Sequence, residues 1–130
     1  MIDYKLQGKQ NRAKGLRFER KVRKYIEERP EWTVAKWQNK GLHEPAKLGK
    51  FRTNQGGFPD FIVLGSDVHF VEAKFNGRLS KEEVEMMDEI HKKYPCWIAS
   101  DDNGEIKWTE FVDYKKACRL RRKRAENKAR

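Results

Sequence analysis

The sequence predicts a single α/β domain in which a mixed β-sheet is flanked by helices, with the elements in the order α-β-β-β-α-β-β. Two segments show helical periodicity, and short runs rich in β-branched and aromatic residues lie between and after them. A chain of 130 residues has room for one core and not for two. We expect a basic N-terminal arm over residues 1–13, a folded domain over residues 14–118 and a basic C-terminal tail over residues 119–130.

The first predicted helix covers residues 14–29. Its apolar side chains recur at the spacing of one helical face: Phe18, Val22, Tyr25 and Ile26. Pro30 follows, and the residue before a proline disfavours helical backbone, so the helix should end there. This pattern predicts an amphipathic helix that packs on the sheet.

The next residues predict one strand and a basic loop. Residues 31–38, "EWTVAKWQ", are rich in β-branched and aromatic residues that alternate with charged ones, as in a half-buried strand. The following "NKGLHEPAKLGKFRTNQGG" contains glycines and a proline and has no apolar period, which predicts a loop. The loop carries four cations: Lys40, Lys47, Lys50 and Arg52.

A hairpin is predicted for the stretch "GGFPDFIVLGSDVHFVEAKF". If the loop consists of Gly65-Ser66-Asp67, antiparallel pairing places Ile62 opposite Phe70, and Asp60 opposite Glu72. Side chains alternate along a strand, so Glu72 and Lys74 project from the same face. Two carboxylates and an ammonium therefore converge at one end of an apolar hairpin.

A second helix and two further strands follow. Residues 81–93 have an apolar stripe that includes Met86, Met87 and Ile90, and Ser80 with Glu83 has the spacing of a capping box. We expect the stripe to lie in the core, with a dimer face as the alternative. "CWIAS" predicts a short strand, and "EIKWTEFVDY" predicts another strand that can run into a helix.

The charge of the chain favours a polyanionic partner. Thirty Lys and Arg residues against 20 Asp and Glu residues give a net charge of +10 and a pI near 9.7. A solvated basic surface is the alternative. No apolar run approaches 18 residues and no signal peptide is visible, so we expect nucleic acid as the partner, no membrane and no small-molecule cofactor, in the cytoplasm or the host-cell cytoplasm of a virus.

The opposed carboxylates need a compensating positive charge. Like charges directly opposite in a sheet destabilise it by roughly 0.2–1 kcal/mol when exposed, and by more when water is excluded. A buried ion cluster with a lysine is one solution. A divalent cation is the other, because Mg²⁺ binds one or two carboxylates and keeps waters for a phosphate. We favour the divalent cation.

These residues carry a resemblance to a known superfamily. Pro59-Asp60, followed across the hairpin by Glu72-Ala73-Lys74, resembles the PD-(D/E)xK nuclease motif. The segment "KGLRFERKV" is similar to the first helix of archaeal-type Holliday-junction resolvases, with Glu19 at the position of their helix acid. The resemblance covers about residues 14–100. It implies a restriction-endonuclease-like fold and a metal-dependent DNA endonuclease that cuts branched DNA as a homodimer.

The resemblance also implies a role for each motif residue. Asp60, Glu72 and the backbone carbonyl of Ala73 would bind the metal, and Lys74 would orient or help to deprotonate the attacking water. Glu19 would complete the acidic cluster as a catalytic residue and metal ligand. On a helical wheel Glu19 lies about 20° from Ile26, at the edge of the apolar stripe. Pairing of a solvent-facing Glu19 with Arg23 is the alternative.

Further cations are predicted to contact DNA phosphates without reading bases. The predicted DNA-binding residues are Lys14, Lys40, Lys47, Lys50, Arg52, Gln55, Arg121, Arg122 and Arg124. A second nuclease group, the virus-type replication-repair nucleases, has a "G-x-PD" element and a later "S-x-x-Q", where this chain has Glu83 in place of the glutamine. A single-strand or flap nuclease and a non-catalytic nucleic-acid-binding protein are the alternative functions.

Overall fold

The computed structural model describes residues 3–35, 46–48, 51–53 and 59–128, and for residues 46–48 and 51–53 it describes the backbone alone. Three helices and seven strands lie within these residues. In chain order they are α1 (Tyr4–Glu27), β1 (Thr33–Ala35), β2 (Ala46–Leu48), β3 (Phe51–Thr53), β4 (Phe61–Leu64), β5 (Val68–Ala73), α2 (Lys81–His91), β6 (Cys96–Asp102), β7 (Glu105–Glu110) and α3 (Phe111–Lys128).

The main sheet has five strands in the order β1-β4-β5-β6-β7. β5 and β6 are parallel because α2 connects them as a crossover, and the other neighbours are antiparallel. β2 and β3 pair with each other in a separate two-stranded sheet. The prediction of an α/β protein with a mixed sheet flanked by helices is confirmed.

Alternation along the strands divides the core between the two faces of the sheet. On one face, α1 packs on the sheet through a cluster of buried side chains: Phe18, Val22, Ile26, Phe61, Val63, Val71 and Ala99. On the other face, α2, β6 and the start of α3 form a second cluster: Met86, Met87, Ile90, Cys96, Ile98 and Phe111. The predicted stripe of α2 therefore lies in the core.

The predicted register of the hairpin is confirmed. β4 and β5 pair with Ile62 opposite Phe70 and Leu64 opposite Val68, around the three-residue loop. Backbone pairing ends at Phe61 and Val71, one step before Asp60. The capping box at the start of α2 is confirmed as well, since the Ser80 side chain accepts from the Glu83 N–H and the Glu83 side chain accepts from the Ser80 N–H.

The first helix is longer than predicted. α1 begins ten residues before the expected position 14, so the segment predicted as an arm is helical from Tyr4. The Asp3 carboxylate caps it by accepting from the N–H groups of Lys5 and Leu6, at 3.1 Å each. No apolar stripe marks this part of the helix, and periodicity alone missed it. Although α1 has 24 residues, neither it nor any other described helix is long and apolar enough to cross a membrane.

Two other segments differ from the predicted order. Residues 119–128 of the predicted basic tail form the second half of α3, because residues 111–128 contain good helix formers and neither Gly nor Pro. The predicted basic loop contains the β2–β3 hairpin, whose three-residue strands are too short for alternation to be recognised. The observed order is therefore α-β-β-β-β-β-α-β-β-α, not α-β-β-β-α-β-β. Of the strand predicted over residues 31–38, residues 36–38 lie outside the described residues.

A tight turn after β5 predicts a measurable cost for Gly77→Ala. Gly77 has φ +70°, and a Cβ there would lie 3.2 Å from the Ser100 Cβ. Left-handed backbone costs a non-glycine residue about 1–2 kcal/mol, and the contact adds to it. We expect urea denaturation to show a loss of more than about 1 kcal/mol. Gly104→Ala is the matched control, because Gly104 has φ +88° but open space around it. Equal losses in the two variants would mean that the contact with Ser100 has no effect.

Candidate active site

Three charged side chains meet at the open end of the β4–β5 hairpin. Asp60 immediately precedes β4, Glu72 lies near the end of β5, and Lys74 follows that strand. The Asp60 Oδ2 atom accepts a hydrogen bond of 2.9 Å from the Ala73 N–H. The carboxylate thus takes a backbone donor of β5 just beyond the last backbone pair. This bond fixes Asp60 beside Glu72, as the register predicts.

Glu72 is the one buried charged residue within the described parts of the chain, with 4% of its surface exposed. It shares a hydrogen bond with Asp60, but its Oε2 atom is buried and has no hydrogen-bond partner. Burial, followed by the hydrogen bond to Asp60 and the charges of Asp60 and Glu83, raises the pKa of Glu72 well above its ordinary value. Ionisation of both carboxyl groups, Asp60 and Glu72, is therefore unfavourable unless a cation binds beside them.

Lys74 lies between these carboxylates and α2. Its Nζ atom is 2.8 Å from the Glu83 Oε2 atom. Partial burial lowers the pKa of Lys74, but the hydrogen bond to Glu83 and the charges of Glu83, Glu72 and Asp60 outweigh it and raise the pKa overall. Lys74 is therefore an ammonium at neutral pH. This state suits orientation of a water or neutralisation of a phosphate better than removal of a proton.

Glu83 joins the start of α2 to the charged cluster. Its Oε1 atom accepts from the Ser80 N–H at 2.9 Å, while its Oε2 atom pairs with Lys74. The spacing from Ser80 predicted only the capping-box role of Glu83, and the contact with Lys74 was not predicted. The signal was present, because Glu83 occupies the place of the glutamine in the "S-x-x-Q" element.

The backbone around Lys74 is held on both sides. Its N–H donates to the Ala99 carbonyl at 2.9 Å, and its carbonyl accepts from the Gly77 N–H at 2.9 Å. The next carbonyl, of Phe75, accepts from the Asp101 N–H at 3.1 Å. β6 and the Gly77 turn therefore position the Lys74 side chain, although Lys74 lies beyond the end of β5.

Glu19 lies on α1, a different element from those that carry Asp60, Glu72 and Lys74. It is half-buried on α1, next to Phe18, and α1 packs on the face opposite to the one that carries Glu72. Among residues 3–35 and 59–128, no three His, Cys, Asp or Glu side chains form a group that holds a metal ion. The structure brings together Asp60, Glu72, Lys74 and Glu83, and the catalytic role of Glu19 stays a prediction.

The chemistry of the pair fits a hard divalent cation. Mg²⁺ and Mn²⁺ prefer carboxylate and carbonyl oxygens, and Mg²⁺ binds through one or two carboxylates with waters completing its shell. The buried Oε2 atom of Glu72 has a lone pair without a donor, and the charges of Asp60 and Glu72 oppose each other. Asp60, Glu72 and the carbonyl of Ala73 are the residues that would hold the ion.

The predicted DNA-binding residues fall in three places. Lys14 lies on α1, and its Nζ atom is 4.0 Å from the centre of the Phe75 ring, which places it at the same end of β5 as Lys74. Three others are exposed on α3: Arg121, Arg122 and Arg124. Lys47 on β2 pairs with Arg52 on β3, with the backbone alone described. Three more lie outside the described residues: Lys40, Lys50 and Gln55.

An apolar pocket of about 310 Å³ lies on the α1 face of the sheet and contains none of the predicted site residues. Its lining comes from the end of α1 and from four strands: Tyr25, Ile26, Trp32, Val63, His69, Val71, Trp97 and Trp108. Such a lining has little to hold a phosphate or a metal ion. The charged cluster, not this pocket, is therefore the candidate active site.

Comparison with known proteins adds no relative. No protein-family model matches the chain, and no curated protein or solved structure matches it.

Proposed function

We propose that the protein is a metal-dependent DNA endonuclease that hydrolyses phosphodiester bonds at Asp60, Glu72 and Lys74. One observation carries the proposal: the Glu72 carboxylate is buried beside Asp60, with one oxygen unpartnered and its pKa raised, and an ammonium stands next to the pair. A core side chain in this state is costly for stability alone. It is suited to hold a cation against a phosphate.

Each side chain of the site has a separate role in the proposed reaction. Bound Mg²⁺ or Mn²⁺ would supply positive charge to the phosphate oxygens and lower the pKa of a bound water. The carboxylates of Asp60 and Glu72 would hold the metal ion. Asp60 is itself fixed by the hydrogen bond that it accepts from the Ala73 N–H. Lys74 orients the attacking water and offsets the charge that develops on phosphorus oxygens. Glu83 keeps Lys74 charged and directed toward the acids.

The proposed substrate is branched DNA, cut by a homodimer. The motif residues support a resolvase-like activity through their resemblance, and a mixed sheet with helices on both faces is compatible with the restriction-endonuclease-like fold that we propose. A four-way junction has nearly symmetric arms, so paired cuts in opposed strands need two active sites in fixed relation. A C₂ dimer is the simplest arrangement that provides them.

A panel of substrates tests this function. A four-way junction, a flap, a linear duplex and a single strand are incubated with Mg²⁺, Mn²⁺ or EDTA, and the molar mass of the protein is measured at the same concentration. We expect paired symmetric nicks in the junction, no cleavage in EDTA, a dimer in solution and junction binding at least about tenfold tighter than duplex binding, or about 1.4 kcal/mol.

Two results would replace the proposal with one of its alternatives. A monomer that cuts flap or single strand as well as junction would make the protein a single-strand or flap nuclease. Binding without cleavage under every metal condition would leave a non-catalytic nucleic-acid-binding protein. That class has no need of acids directed at phosphates, which is why we favour an enzyme.

A further inference from the structure

The first part of α1 is exposed and contributes no buried side chain to the core. Residues 4–17, here called the basic arm, precede Phe18, the first buried residue of the helix. All of them are exposed except Gly8 and Ala13, which are half-buried. At 1.5 Å per residue the basic arm is about 21 Å long. It is thus a rod that continues from a helix whose second half is fixed in the core.

The charge of the basic arm has a single sign. It carries five cations, Lys5, Lys9, Arg12, Lys14 and Arg17, and neither Asp nor Glu. A short helix without a packed apolar face gains little stability by itself. Here the Asp3 cap and the packed half of α1 maintain it. Three large apolar side chains of the basic arm, Tyr4, Leu6 and Leu16, are exposed, but they are spread around the helix and form no single stripe. A rod with five cations and no apolar stripe is suited to bind a polyanion.

Contacts at the base of the basic arm fix its direction. The ring of Phe18 meets the ring of Phe75 edge-on at 5.7 Å, and Lys14 lies over the same ring. Two turns further along α1, Tyr25 packs on Trp108 of β7. From Phe75 toward its C-terminal end, α1 therefore runs along the sheet. The basic arm extends in the opposite direction, from the end of β5 that Lys74 follows.

We infer that the basic arm lies in the major groove of a DNA duplex that flanks the scissile phosphate. The inference rests on the proposed function. It implies that the preferred substrates have a double-stranded segment next to the cleaved bond. An α-helix with its side chains is about 10–12 Å wide, and the major groove is about 12 Å wide. A length of about 21 Å spans about six base pairs at 3.4 Å each. A single strand has no groove for such a rod.

Binding to a duplex and to a single strand of equal length tests the inference. The measurement uses the full chain with Asp60→Asn in EDTA, so cleavage plays no part, and it covers several salt concentrations. The triple variant K5Q/K9Q/R12Q should weaken duplex binding by at least about tenfold and reduce the salt slope by up to about 2.7, or about 0.9 for each lost phosphate contact. The matched control K93Q/K107Q/K116Q removes the same charge from exposed positions elsewhere and should change duplex binding less than threefold.

A second variant separates a rigid helix from a charged tail. Ala13→Pro keeps every charge but breaks the helix inside the basic arm, so that Lys5, Lys9 and Arg12 are no longer held by the part of α1 that packs in the core; the cost to the helix is about 3 kcal/mol. It should weaken duplex binding about as much as the triple variant and leave single-strand binding unchanged, while Ala13→Gln should bind as the parent does. Circular dichroism and urea denaturation verify that the core still folds.

The outcomes distinguish this inference from the proposed function. Equal losses on duplex and single strand, or unchanged duplex binding in Ala13→Pro, would overturn the groove-binding role. If the wild-type protein cuts none of the four substrates but duplex binding depends on the basic arm as described, the nuclease proposal fails and only the groove-binding role of the basic arm holds.

Discussion

Glu72→Gln is expected to abolish metal-dependent cleavage while leaving DNA binding intact or tighter. The substitution keeps the size of the side chain but removes the buried negative charge that would hold the cation. Metal ions contribute several kcal/mol to the stabilisation of such transition states, so the loss of rate should be about 10³-fold or more. Binding should not weaken, because a negative charge near the phosphate is removed. Single-turnover cleavage and a parallel binding assay measure the two effects.

Glu72→Gln should also change the stability of the metal-free protein. The pKa of Glu72 in the folded protein is raised above its ordinary value of 4.5. The protonated Glu72 side chain therefore contributes its full share to the free energy of unfolding below pH 4.5, and this share is lost as the pH rises through the raised pKa. A glutamine has no proton to lose. Metal-free Glu72→Gln should therefore be more stable than wild type at neutral pH, and the difference should narrow toward pH 4. Mg²⁺ should raise the melting temperature of wild type and not of the variant.

Two comparisons make this prediction specific. Asp60→Asn should lose cleavage in the same way, while its amide oxygen can still accept from the Ala73 N–H. Glu82→Gln removes an exposed carboxylate from the first turn of α2 and should leave cleavage and the response to Mg²⁺ as in wild type. Retained cleavage in both Glu72→Gln and Asp60→Asn would exclude them as the metal site.

Lys74→Met is expected to reduce the cleavage rate by about 10²- to 10³-fold, the usual effect of removing one group that stabilises charge in a transition state. It should also destabilise the metal-free protein at neutral pH, because Glu72, Asp60 and Glu83 lose their shared cation. Single-turnover cleavage assays measure the cleavage rate, and urea denaturation measures the stability of the metal-free protein. Mg²⁺ should still raise the melting temperature, since both carboxylates remain.

Glu83→Gln in the Lys74→Met background separates catalysis from stability. Glutamine retains the capping box at the start of α2 but removes one of the three carboxylates. The double variant should therefore recover part of the stability lost in Lys74→Met and none of the activity. Recovery of activity would contradict a direct role for Lys74. Lack of any recovery of stability would show that repulsion among the carboxylates is not what destabilises Lys74→Met.

The sequence predicted the central part of the site because the relevant signals are local. Alternation and a three-residue loop suffice to set the register of the β4–β5 hairpin, and that register places Asp60 next to Glu72. The capping box at Ser80 depends on a spacing of three residues, which is also readable from the chain. Each of these features needs only one element or one hairpin.

The features that the sequence did not predict depend on position in space or on helices without an apolar stripe. The contact of Lys74 with Glu83 requires the turn around Gly77, which sets where α2 begins relative to β5. The first part of α1 is helical because Asp3 caps it and because it continues into a packed helix, and the second half of α3 is helical because its residues have high helix propensity. Hydrophobic periodicity detects none of these causes. The short β2–β3 hairpin gave too few residues for a pattern.

The double use of Glu83 links the first turn of α2 to the charge state of the site. Its two oxygens bind the Ser80 N–H and the Lys74 ammonium at once, so a transient opening of that turn must also release the lysine. Local opening of this kind is visible as amide hydrogen exchange. A substrate phosphate that takes the Lys74 ammonium from Glu83 removes one of the two contacts that hold Glu83 in place. The Ser80 amide should therefore exchange faster when substrate binds, and it provides a reporter of site assembly in a protein that is not turning over.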